Sequence, residues 1–387
     1  MKISFFLCVS LFMNIVFAQM NTDDINKHIQ LVKEKYAPDK RTAIFNVEVK
    51  TLNNKIELSG ETNVPEAKEE LIKYLSSKKF IDKIKLLPAM ELGEKIFGIA
   101  NLSVVNIRTQ PEHSAELATQ VLLGSHLKIL KSSGEWFQVQ CEDDYIGWLD
   151  DDGVQLMDKK EISEWNSSKK IIVTKPFSFA YSEKNENSIP VSDVVQGNKL
   201  KLKSIEDDFF RVEYPDGREA FIKNTDAEDF DLWLTSREQN FNAINNTAHS
   251  LMGLPYLWGG TSIKGVDCSG YTKIVFQQHG IELPRDASQQ VHVGELVDTE
   301  NGFDNLMPGD LLFFGKKDFN TGKEKITHVA IYLGNLEFIH SAGRVRINSF
   351  NPVSKNFAED RLKSFIKAKR ILSSLGKNGV KLTKQLQ

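Results

Sequence analysis

The sequence predicts a multidomain α+β protein: an N-terminal α+β unit, two small β-barrels, and a C-terminal α+β unit that carries the chemistry. Three observations lead there. At 387 residues the chain is too long for one ordinary core, so two to four domains are expected. Strand and turn signals in its middle recur at one fixed offset. In the last third, Cys268 lies among glycines and two histidines follow on alternating, strand-like segments.

Lys2 precedes an apolar run from Ile3 to Phe17 that ends Val16-Phe17-Ala18, so residues 1–18 read as a secretory signal peptide with Gln19 the first mature residue. A membrane anchor needs about 20 apolar residues, more than this run offers, and no later segment would span a bilayer. The protein is therefore expected outside the cytoplasm, periplasmic or secreted. A net charge of −3 and a pI near 6.3 give no global field favouring nucleic acid or anionic membrane. Cys8 leaves with the signal. Cys141 and Cys268 remain, and one pair in so long a chain is no disulfide framework. Cys141 extends the alternation Phe137, Val139 and reads as a small core hydrophobe, not joined to Cys268.

From residue 21 to 90, Ile25, Ile29, Val32 and Tyr36 mark a helical face, with Asn21 or Thr22 as cap. Phe45, Val47 and Val49 alternate as a strand; Ile56 and Leu58 follow as another after a turn at Asn53-Asn54. Pro65 opens a second helix with Ala67, Leu71 and Leu75, and Ile84 and Leu86 close the unit as a strand. This α-β-β-α-β order, with Leu58-Ser59-Gly60-Glu61 before the helix, resembles the BON domain of exported bacterial proteins.

The repeat comes next. Gly124, Leu127, Ile129, Trp136, Phe137, Val139, Asp143 and Gly147-Trp148-Leu149 become, on adding 73, Gly197, Leu200, Leu202, Phe209, Phe210, Val212, Asp216 and Ala220-Phe221-Ile222. One offset without gaps predicts two copies of one small barrel of short strands and turns, over residues 98–158 and 168–226. The first, with Asn106-Ile107-Arg108 and His113-Ser114-Ala115-Glu116-Leu117, resembles a bacterial SH3 domain. The second lacks the Asn-Ile-Arg signature and reads as a degenerate relative. Such barrels bind or position.

The last unit spans residues 235–372, with a Lys-rich tail, 373–387, expected to be mobile. Phe241, Ile244, Ala248 and Leu251 mark one helix; Tyr271, Ile274 and Val275 mark another whose first turn carries Cys268 and whose cap is Asp267. A helix N-terminus presents about half a positive charge and favours a thiolate. The Cys268 N–H, with the Tyr256 hydroxyl, would hold a developing oxyanion. His328, Ala330 and Tyr332 share one strand face, and Leu336, Phe338 and His340 share another. A clean two-residue turn at Gly334-Asn335 would send His340 to the wrong side, so a longer loop or a bulge is expected. Two rival readings stay open: strand histidines that merely pack, and zinc held by Cys268, His328 and His340. His113, His126, His249, His279 and His292 are most simply solvated. Arg285-Asp286 reads as a turn-bracing ion pair, and Ser288 beside it is ambiguous.

The motifs Tyr256-x-Trp258-Gly259-Gly260, Asp267-Cys268-Ser269-Gly270, Leu283-Pro284-Arg285-Asp286, Pro308-Gly309-Asp310-Leu311 and His328-Val329-Ala330-Ile331-Tyr332 resemble the NlpC-type cysteine peptidases over roughly a third of the chain. The resemblance implies a shrunken papain fold, helices on an antiparallel sheet, preceded here by the two SH3-like barrels and the BON-like unit. It implies Cys268 as nucleophile, His328 as base and then acid, and His340 as the third member, with no cofactor or metal. The family cleaves bacterial wall peptides, typically between the γ-carboxyl of D-glutamate and a diamino acid. Members with SH3 domains ahead of the peptidase resemble recycling enzymes that require a free N-terminal L-alanine. On that likeness Glu116 and Tyr145 close one end of the site, Asp267 helps hold the ammonium, and Trp258 and Ser269 line the cleft. Ala287 stands where relatives often have serine, which leaves Ser288 as the candidate there. The expected partner is thus a peptidoglycan-derived peptide. An amidase or acyltransferase on the same fold, and a non-catalytic wall-binding protein, are the other readings.

Overall fold

Residues 22–52, 55–76, 79–318 and 320–385 are described by the computed structural model. The signal peptide assigned to residues 1–18, the Asn21 cap and the turn at Asn53-Asn54 lie outside them. In the N-terminal unit, residues 22–36 form a helix whose Ile25, Ile29 and Val32 pack with Ala67 and Leu71 of the helix Pro65–Tyr74. Pro65 starts that helix where a missing N–H carries no penalty. Strand Phe45–Leu52 runs antiparallel to Lys55–Thr62, and the helix returns the chain to Phe80–Leu86, parallel to the latter.

The 73-residue offset is a repeat of structure. Adding 73 to Phe97–Ala100, Val104–Arg108, Leu117–Leu122, His126–Ser133 and Ile146–Asp150 yields Lys170–Val173, Phe177–Tyr181, Pro190–Val195, Lys199–Glu206 and Glu219–Lys223, each an observed strand end to end. Both seven-stranded sheets have the same strand order. Ile107, Leu127 and Val139 fill the first core, and their counterparts Ala180, Leu200 and Val212 fill the second. Cys141 is buried in the first core as a free thiol. The loss of the Asn-Ile-Arg signature left the topology untouched, because the inward-facing positions hold the barrel together.

The C-terminal unit is a six-stranded antiparallel sheet in the order Glu295–Val297, Phe365–Arg370, Leu311–Lys317, Glu324–Gly334, Glu337–Ala342, Arg344–Ser349. Helix Cys268–Gln277 packs on the face formed by Phe313, Val329, Ile331 and Ile339. It is buried at every position from Cys268 to Phe276, beyond the expected stripe. The first barrel covers its polar side: Lys273 donates to the Leu283 carbonyl at 2.8 Å and pairs with Asp143 at 3.2 Å.

Two expectations are corrected here. The segment after Leu372 packs: Lys381–Leu382 pairs with Ile281–Glu282, and Val380 and Leu382 are buried. Few apolar residues suffice when they land on an open edge of the core. His279 is buried, its two ring nitrogens within 2.9 Å of the Thr247 hydroxyl and the Glu238 carbonyl.

The N-terminal unit docks on the first barrel through Ile44, Leu87 and Leu130, the Lys131–Glu61 pair at 2.6 Å, and the Ala89 N–H to Leu130 carbonyl bond at 2.8 Å. Among the described residues no helix is long and apolar enough to cross a membrane.

Candidate active site

Cys268 is the first residue of its helix, and Asp267 caps it by accepting from the Gly270 N–H at 2.7 Å. Gly270 has to be glycine, because a Cβ there would lie 2.0 Å from the Gly260 carbonyl oxygen. Gly259, at φ +78°, lets the first barrel approach, with Leu117 carbonyl oxygen 2.3 Å from where its Cβ would be. Val329, next along the strand from His328, is buried in the same core as Cys268. Burial pushes the thiol up to about 11, Asp267 adds to this, and the N–H groups of Val329 and Ser269 with the Arg285 charge only partly offset it. Desolvation thus prevails, and the resting sulfur is a thiol. The Tyr256 hydroxyl lies close enough to feel Cys268; burial first, then the charges of Cys268 and Asp267, push it up to about 12, so it remains a donor.

The histidines are joined. Strand pairing runs Ile331↔Ile339 and Tyr332↔Phe338, then shifts register before Gly334↔Glu337. Gly334, Asn335 and Leu336 all take positive φ there (101°, 51° and 64°). The bulge keeps His340 on the face of His328. The two are diagonal neighbours, since continuing the register sets Ala330 opposite His340. His328 Nε2 lies 2.7 Å from His340 Nδ1, and His340 Nε2 lies 2.9 Å from Asn348 Oδ1. Asn348 Nδ2 donates to the Asn356 carbonyl at 2.9 Å, which turns its oxygen towards His340. That network assigns the protons: His340 donates from Nε2, His328 donates from Nε2 to His340 Nδ1, and His328 Nδ1 keeps its lone pair.

Burial, then the His340 charge, then those of Arg361 and Arg346, hold His328 well below the usual imidazole value. His340 is brought to about 4, chiefly by burial against the opposing bond from Asn348. Both imidazoles are neutral in the fold. Between the unfolded value of about 6.5 and the folded value near 4, an unfolded chain takes up protons that the folded one refuses. Stability should therefore fall as pH drops through that window. We expect a urea midpoint for the peptidase unit clearly lower at pH 5 than at pH 7.5, with His340 contributing roughly 1–2 kcal/mol to the lost stability; an unchanged midpoint would refute neutral burial.

The closed end of the cleft differs from the expectation. Asp267, given to the ammonium by resemblance, is buried and fully engaged. Its oxygens take Arg285 Nη2 at 2.6 Å and Nη1 at 3.1 Å, and the Gly259 N–H at 3.0 Å. Ser269 is buried with them, its hydroxyl 3.1 Å from Arg285 Nη1. Arg285 is 1% exposed and reaches Thr119 of the first barrel at 2.9 Å, while its nearest approach to Asp286 is 3.8 Å. The half-exposed acid at this end is Asp286. Its Oδ2 accepts from the Tyr145 hydroxyl at 3.2 Å and from Arg41 at 2.7 Å. Glu116 accepts from Trp258 Nε1 at 2.6 Å, at the exposed rim. Ser288 Oγ lies 3.0 Å from Arg41 Nη1.

Sequence reasoning missed Asn348, Asp286 and Arg41. Asn348 is visible only through strand register, and Arg41 only once an N-terminal loop folds back across the chain. A cavity of about 650 Å³ lined by Glu142, Lys170, Lys199 and Lys273 lies among the barrels and does not include Cys268 or His328. No cluster of potential metal ligands occurs among the described residues.

Comparison with known proteins agrees with this architecture. The chain matches the NlpC/P60 family over residues 253–367 and the bacterial dipeptidyl-peptidase Sh3 domain over residues 107–154. It is 32% identical over 240 residues to the gamma-D-glutamyl-L-lysine dipeptidyl-peptidase of Bacillus cereus, covering 58% of this chain and 67% of that protein. To the Bacillus subtilis protein of that name it is 32% identical over 233 residues, 58% and 72% of the two. The crystal structure of a Bacillus cereus NlpC/P60 family protein superposes with a TM-score of 0.59 at 26% identity, over 71% of this chain and 99% of that one.

Proposed function

Because this chain belongs to the NlpC/P60 family of cysteine peptidases, we propose that it hydrolyses the bond between the γ-carboxyl of D-glutamate and a diamino acid in peptidoglycan stem peptides bearing a free N-terminal L-alanine. The observation that carries this reading is the Asn348–His340–His328 relay, with bonds of 2.9 and 2.7 Å, on a strand whose Val329 packs in one core with the helix that Cys268 begins. His328 Nδ1 takes the thiol proton as sulfur attacks the carbonyl carbon. The oxyanion is held by the Cys268 N–H, which has no carbonyl partner in the first helical turn, and by the protonated Tyr256 hydroxyl. His328 then protonates the leaving amine as the C–N bond breaks, which leaves a thioester. Water, deprotonated by the same nitrogen, releases the acid and restores the thiol. His340 and Asn348 act by holding the tautomer of His328. Neutral His328 and protonated Cys268 in the resting site mean that the thiol proton moves to His328 only as sulfur attacks the carbonyl carbon.

At the closed end we assign the substrate ammonium to Asp286 and Glu116, with Tyr145 and Trp258 as walls. Support comes from exposure and pairing: Asp286 is half-buried and open to a ligand, whereas Asp267 is saturated by Arg285. Ser288 supports Asp286 from the same turn. The barrel thereby limits the cleft to short peptides. Residues 1–18 direct export to the periplasm or the medium, and the α-β-β-α-β order of the N-terminal unit supports its assignment as a BON domain.

The test is product analysis with L-Ala-γ-D-Glu-diaminopimelate, free and N-acetylated. Free tripeptide should yield L-Ala-γ-D-Glu and the diamino acid, and acetylation should slow this at least about a hundredfold, because it removes the charge that Asp286 and Glu116 would pair with. Cleavage at the L-Ala bond, acyl transfer to an amine, or equal rates for the two peptides would each overturn the reading.

A further inference from the structure

Arg41 lies between the first helix and strand Phe45–Leu52, far from Cys268 in sequence, yet it is built into the closed end of the cleft. Its Nε and Nη2 fork onto Asp39 at 2.8 and 2.7 Å, and Nη1 donates to Asp286 at 2.7 Å and Ser288 at 3.0 Å. Gln289 returns a bond to Asp39 at 2.8 Å, and the Ile146 N–H of the first barrel donates to the Arg41 carbonyl at 2.6 Å. Tyr145 shares the Asp286 oxygen that Arg41 holds. Three units of the chain therefore meet on one carboxylate.

This cluster is more than an interdomain tie. The N-terminal unit is already fastened to the barrel by Lys131–Glu61 and by the Ile44, Leu87 and Leu130 contact. Its charges also fit a task. Asp39 and Asp286 flank one guanidinium, so the trio keeps one net negative charge while the position of Asp286 is fixed by a charge-assisted bond. Burial raises Asp39, but its bonds to Arg41 prevail and bring it to about 2, so Asp39 stays ionised against the cation.

Resting on the peptidase reading, we propose that Arg41 is a positioning residue for amine recognition: the N-terminal domain, through Arg41 and Asp39, holds Asp286 in place for the substrate ammonium. The N-terminal domain is then a working wall of the specificity pocket. Without the guanidinium, two carboxylates lose their common counter-ion and Asp286 turns away. Without Asp39, the guanidinium neutralises Asp286 entirely.

The test compares mature Arg41→Gln and Asp39→Asn with wild type on free and N-acetylated tripeptide, with melting curves alongside. Each variant should raise KM for the free peptide about tenfold and lower the preference for it over the acetylated peptide by a similar factor, with kcat changed less than about threefold. A purely structural role would lower both substrates together or move only the melting temperature, and either result overturns the proposal. So does a KM unchanged in both variants. If Arg41→Gln does not fold, Asp39→Asn, which keeps the arginine in place, decides. A wild type that leaves the tripeptide intact refutes the peptidase reading itself and this proposal with it, an outcome distinct from variants that match an active wild type.

Discussion

Cys268→Ala is expected to abolish cleavage of the tripeptide, with kcat falling about 10⁴-fold or more, and to leave melting unchanged within about 2 °C. The two halves have separate causes. Sulfur makes and breaks the only covalent bond between protein and substrate, and the Cys268 N–H and Tyr256 hydroxyl retain no nucleophile to stabilise. The fold loses one small, 7%-exposed side chain at the edge of the core, which alanine nearly fills. Asp267 still caps the helix through the Gly270 N–H. Turnover within tenfold of wild type would mean that another group attacks the amide, and the assignment of Cys268 would be lost.

Arg285→Met should have the largest effect on stability, about 3–5 kcal/mol in the peptidase unit and several degrees in its melting transition. Arg285 is fully buried, and its two Nη atoms are the counter-ion of buried Asp267 while Nε reaches Thr119 in the barrel. Removing it strands the Asp267 carboxylate next to Cys268. Asp267 is then driven out of the site, and the Gly259 and Gly270 amides lose their acceptor. Activity should be lost together with stability. Arg285→Lys should not rescue, because a point charge cannot reproduce the fork. The double variant Arg285→Met with Asp267→Asn should recover part of the loss, since it removes the uncompensated charge. A single variant within about 0.5 kcal/mol of wild type would show that the pair contributes nothing.

The His328–His340 pairing illustrates how far a pattern reaches. Alternation placed both rings on strands and required a bulge or longer loop between them; the bulge before Gly334 is present. Alternation alone could not say that the rings are diagonal, nor that Asn348 completes the relay, because register between strands is set by the turn and by packing. The closed end was harder. Resemblance nominates Tyr145, Glu116, Trp258 and Asp267, but which acid stays open to solvent, Asp267 or Asp286, depends on which one the buried Arg285 pairs with.

Local order in this chain is written locally. Periodicities of 3.6 and 2, one gapless offset of 73 and a capped helix start were enough to predict helices, strands, the repeated barrel and Cys268 at a helix N-terminus, since patterning and capping are local. Charge state and partnership were decided only by the tertiary structure. Burial turned an anticipated thiolate into a thiol near 11, Arg285 saturated Asp267, and Arg41 arrived at Asp286 from 245 residues away. Desolvation and long-range ion pairing depend on what the rest of the chain places around a group, and no window of sequence contains that.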